Sequence, residues 1–183
     1  MNTESADPED LALLREVFTA ERGSGPPLGR PGVRAFEAAS GVVLPEPYRT
    51  FVAEIADGAS SGPPEYGLTA LGALPADWGG GRERDLARPF PLTRTWVWED
   101  DPGPVGELEE ALVGVFDHGS VVLGTEGCGM NWHLVVTGPH RGHVWQVTGE
   151  GAMPFGVGAA AVGPGFAGWV RCWASGRPWH EVM

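Results

Sequence analysis

Cysteine, histidine and carboxylate side chains supply most nucleophiles, metal ligands and acid–base pairs, and here the first two are few and scattered. The 183 residues hold 2 cysteines and 5 histidines. Cys128 stands between Gly127 and Gly129, with His133 and His118 as the nearest bases in sequence. A cysteine nucleophile needs a depressed pKa, usually from a helix N-terminus or a neighbouring cation, and a turn between strands offers neither. Gly127-Cys128-Gly129 is therefore expected to be a tight turn carrying a small buried thiol. It is not a phosphate loop, because no Gly-Lys-Ser/Thr follows. His140 and His143 lie three apart, but a recognisable zinc motif adds a Cys-x-x-Cys or His-Glu-x-x-His pair, and neither occurs. They are expected on a turn and at a strand start, as surface or edge residues. No metal and no cofactor is expected.

Carboxylates dominate the charge. The 24 acidic residues outnumber 12 basic ones, all of them arginine, for a net charge of −12. Such a surface repels nucleic-acid phosphates and anionic membranes and favours a basic protein partner. Glu99, Asp100, Asp101, Glu107, Glu109 and Glu110 put six carboxylates into twelve residues around Pro102 and Pro104. Trp96 and Trp98 come just before them. Tryptophan is a good interface anchor, so aromatic anchors and an acidic rim are expected to share one partner-binding surface. None of these carboxylates sits in the apolar context that would raise its pKa for general acid work.

The elements that must position these groups are legible from period and punctuation. Asp7 caps a helix from Pro8 to Ala20, with Leu11, Leu14 and Phe18 in one stripe. A second helix runs from Pro31 to Ser40 and ends at Gly41. A third, Glu46–Ala56, puts Tyr48, Phe51, Val52 and Ile55 at i, i+3, i+4 and i+7 and ends at Gly58. A short strand Tyr66–Thr69 and edge segments Phe90–Leu92 and Thr95–Trp98 follow. Val113–Phe116, Val121–Leu123, Asn131–Thr137 and His143–Val147 then read as an antiparallel meander joined by glycine turns. After a flexible Gly149–Pro164 connection, a last helix (Gly165–Ser175) carries Phe166, Trp169 and Trp173. The length suits one core. Two cysteines do not make a disulfide framework, so free thiols in a reducing cytoplasm are the default, although sequence leaves a Cys128–Cys172 pair open. Neither a membrane span nor a secretory leader is read, which also gives a cytoplasmic location.

The order of these pieces resembles the SUKH superfamily, the Smi/Knr-type cell-wall regulators and their bacterial relatives. The likeness is carried by Val42-Val43-Leu44-Pro45-Glu46-Pro47-Tyr48-Arg49-Thr50-Phe51-Val52 with Asp57-Gly58, then Tyr66-Gly67-Leu68. Gly114–Gly119 and Gly127–Gly129 continue it, and Phe166–Trp173 closes it. Asp57 stands where the family has asparagine, and the Ala76–Asp85 and Gly149–Pro164 segments are long. Together these readings give an α+β fold, one domain, with a mixed, largely antiparallel sheet of about five or six strands and helices on one face. Residues 1–32 would form an N-terminal helix and loop, 33–176 the SUKH-like domain and 177–183 a tail. The resemblance implies a non-enzymatic protein-binding module, an immunity-type protein that binds and neutralises a cognate bacterial toxin domain, which the acidic charge balance would make basic. It transfers no catalytic residue. The alternatives are a regulatory scaffold for a host protein and a small enzyme built on Cys128, His133 and His118.

Overall fold

A computed structural model describes residues 5–76, 78, 83–98, 103–156 and 163–178. Helix α1 (Pro8–Val17) starts at Asp7, whose carboxylate accepts the Glu9 N–H at 2.9 Å. Helix α2 (Gly29–Ser40) ends at Gly41 in the left-handed region, and helix α3 spans Tyr48–Glu54. The chain next supplies strand β1 (Trp96–Val97), helix α4 (Val105–Asp117) and strands β2 (Ser120–Thr125), β3 (Asn131–Val135), β4 (Val144–Thr148) and β5 (Gly151–Pro154). Helix α5 (Phe166–Ala174) closes it. The five strands form one antiparallel sheet in the order β1-β5-β4-β3-β2. The fold is a single α+β domain.

One sheet face is a hydrocarbon core. Val121, Leu123, Trp132, Leu134 and Val144 meet Leu14 of α1, Val33 of α2, Tyr48, Phe51 and Val52 of α3, and Phe166, Trp169 and Val170 of α5. The Phe51 ring lies 4.8 Å from Phe18 and 5.0 Å from Phe166 between centroids. Ile55 and Trp173, expected in this core, are only half-buried at its margin. The Leu44–Arg49 motif is a brace. Glu37 accepts the Leu44 N–H at 2.9 Å and pairs through both oxygens with Arg49, tying α2 to α3. Burial pushes the Glu37 carboxyl up, but Arg49 and the Leu44 amide outweigh it and hold the group below its ordinary range.

Four expectations are corrected. Val113–Phe116 is not a strand but the end of α4. Glu107-Leu108-Glu109-Glu110-Ala111-Leu112 are strong helix formers, and Leu108, Leu112 and Val115 recur at i, i+4 and i+7, so helical period outweighs the branched run. Tyr66–Thr69 makes only an isolated bridge, Ala59 to Leu68. Phe90–Leu92 packs beside the sheet without joining it, as Pro89 and Pro91 lack ladder donors. The Gly149–Pro164 connection contains β5, reached from β4 by a tight turn.

Candidate functional site

The second sheet face carries the chemistry. Strand alternation turns Ser120, Val122, His133, Val135, Trp145 and Val147 away from the helical core. Phe90 and Val115 cover part of this face, which Ala152 of β5 extends. Near β2 the cover becomes polar. The His133 ring is fully buried, with its Nδ1 2.9 Å from the Ser120 hydroxyl. Burial drives its pKa well below the usual imidazole value, and the Arg84 charge adds to the effect. Arg84 is held over Trp78, with Cζ 5.3 Å from the ring centroid, and donates to the carbonyls of Ser120 (2.8 Å) and Phe116 (3.2 Å). Burial lowers the guanidinium to about 10, partly opposed by Asp117. Arg84 thus serves one C-terminal carbonyl of α4, that of Phe116, together with the first carbonyl of β2, and sits where the helix dipole favours a cation. The helix leaves through Gly119, at φ +63°, where a Cβ would collide with the Phe90 backbone.

Held in this way, α4 forms one wall of an open groove of about 830 Å³. Glu107, Glu109 and Glu110 line it from the helix, Arg88, Pro89 and Pro91 from the facing segment, and His118 where the helix ends. Three exposed carboxylates face one guanidinium there. Pro104 precedes the helix and Glu107 lies in its first turn, where the dipole favours a negative charge. Val105, 70% exposed, stands at the same end.

Glu107, Glu109 and Glu110 are therefore brought together, on a helix. Trp96 and Trp98 lie elsewhere. Trp96 is half-buried on β1 against the second cluster, Trp98 is half-buried just after it, and neither lines the groove. Glu99, Asp100 and Asp101 fall outside the described residues. Cys128 corrects another expectation: it is exposed, not buried, at the β2–β3 turn with φ +53°. Both cysteines are free thiols. The Cys–His grouping is dispersed, because His133 is sealed beneath the sheet cover while His118 lines the groove. Sequence reading missed the Ser120–His133–Arg84 cluster. The alternation that puts Ser120 and Val122 on one face of β2 and His133 and Val135 on one face of β3 was visible, but the arrival of Arg84 from a distant loop was not.

No protein family, curated protein or solved structure matches this chain. The SUKH likeness rests on the quoted motifs alone.

Proposed function

We propose that this chain is a non-enzymatic protein-binding module whose α4 groove receives a basic protein partner. Within that reading, it is an immunity-type protein that binds and neutralises a toxin domain in the cytoplasm of the producing cell. The observation that carries the proposal is the juxtaposition of Glu107, Glu109 and Glu110 along one open groove of a chain with net charge −12. Exposed carboxylates of this kind steer encounter and set association rate more than final affinity. The dispersal of Cys128, His133 and His118 favours binding over catalysis. The order of the SUKH-like motifs supports the immunity reading.

The test is a partner captured from the producing cell and measured against a triple variant, Glu107→Lys, Glu109→Lys and Glu110→Lys. Association should slow severalfold at low salt, and the gap should narrow at physiological salt, where screening acts over about 8 Å. A rate indifferent to both reversal and salt removes the groove from binding. For the immunity reading, co-expression with a toxin encoded beside this gene should restore growth. Unchanged killing rejects that role while leaving a scaffold role standing.

A further inference from the structure

From the turn between β3 and β4 we infer a second site, independent of the acidic groove: a two-imidazole seat for a divalent transition cation of the zinc–copper type. The Nδ1 atoms of His140 and His143 stand 3.2 Å apart, with the ring planes at 75°. Two nitrogens bound to a tetrahedral zinc at roughly 2.0–2.1 Å each are separated by about 3.3 Å, so the pair already has the bite such an ion needs. Imidazole is a preferred ligand of zinc and copper(II).

The turn presets this geometry. The Arg141 N–H bonds the Gly138 carbonyl at 3.1 Å, the His143 N–H bonds the His140 carbonyl at 2.9 Å, and the Gly142 N–H bonds Val135 at 2.8 Å. Gly138 and Gly142 adopt positive φ, +121° and +92°. Arg141, the cation between the two ligands in sequence, is drawn toward the connection between α2 and α3. Its guanidinium donates to the carbonyls of Val43 and Leu44, both at 3.1 Å. The His140 ring leans edge-to-face on the buried Trp145, 5.8 Å between centroids. Both histidines are half-buried, so one side of the pair is fixed by protein and the other is open to water. Among the described residues no third histidine, cysteine or carboxylate completes the set. Water fills the remaining positions, and the ion exchanges.

Without the cation, one Nδ1–H donates to the other Nδ1. With it, both Nδ1 lone pairs face the metal and both ring protons lie on Nε2. The experiment is nitrogen NMR of the histidine rings in the full chain, titrated with zinc. One equivalent should move His140 and His143 together, both becoming Nε2–H tautomers with shifted Nδ1. His140→Gln and His143→Gln should each lower zinc affinity at least about tenfold, as losing a ligand costs no less than losing an outer-shell partner. Zinc should raise the thermal midpoint of the parent chain and not of the variants. Rings unmoved by excess zinc, a shift in one ring only, or variants that bind as tightly as the parent overturn the site. If a variant fails to fold, the parent ring spectrum decides alone.

Discussion

The two faces of the sheet are built on different principles. Under α1, α2, α3 and α5, the buried side chains are aliphatic and aromatic, and Phe18, Tyr48, Phe51 and Phe166 pack ring against ring. Across the sheet, a smaller apolar cluster gives way to His133 and Ser120 of the strands themselves, with Arg84 bonded to the Ser120 carbonyl and Asp117 buried near Arg84. The first face is maintained by removal of hydrocarbon from water, which is insensitive to pH. The second depends on buried polar groups keeping their partners and their protonation states. It also anchors the helix that lines the groove. Stability and surface chemistry are thus assigned to opposite sides of one sheet.

The largest effect should come from the hydrocarbon face. Phe51→Ala should cost about 3–5 kcal/mol in a denaturant titration, the usual loss for a buried aromatic. Its pH dependence should match the parent chain, because no ionisable group is disturbed. A loss under about 1 kcal/mol would mean that the Phe51 site collapses without a cavity.

Acid should act on the other face. An unfolded histidine titrates near 6.5, whereas burial keeps His133 neutral in the folded chain far below that. The unfolded state therefore takes up the proton first. The contribution is intact above about pH 6.5 and is lost as pH falls, by up to about 1.4 kcal/mol per pH unit until the folded group titrates. His133→Gln cannot protonate there and still offers Ser120 a hydrogen-bonding group, so its denaturation midpoint should fall less steeply between pH 7 and pH 5. Parallel slopes for parent and variant would assign the acid sensitivity to another group.

Smaller effects sharpen the division. The triple reversal at Glu107, Glu109 and Glu110 should move the denaturation midpoint only slightly while slowing association, since all three are exposed. A large stability loss would make those residues part of the scaffold. At the bottom of the scale, a thiol reagent should label Cys128 promptly and Cys172 only on unfolding. Cys128→Ser should leave partner binding unchanged, and a binding loss would bring the hairpin tip into the interface.

Local signals sufficed where one short stretch carried the information. Asp7-Pro8 and the stripe after it specify the start of α1, and Gly41 takes the left-handed conformation its position implied, whereas α3 ends at Glu54 and Gly58, though left-handed, lies beyond its cap. The Tyr48–Val52 stripe meets the core as its spacing required. Val113–Phe116 misled because branched residues near a glycine imitate a strand, whereas the helix-forming run that decides the matter lies upstream. Strand β5 was hidden because Gly151-Ala152-Met153-Pro154 has neither alternation nor branched residues, and pairing with β4 and β1 supplies what propensity lacks.

By itself, the sequence determined the α+β class, the helices whose caps and stripes are local, and the acidic character of the region after Trp98. The tertiary structure alone decided that Glu107, Glu109 and Glu110 share a groove, that His133 is sealed with Ser120 beneath Arg84, and that His140 and His143 face each other. Helix caps and amphipathic stripes depend on neighbours a few bonds away along the chain. The sites depend on groups that approach through space, and folding brings Arg84 against the β2 backbone and Arg88 across from α4.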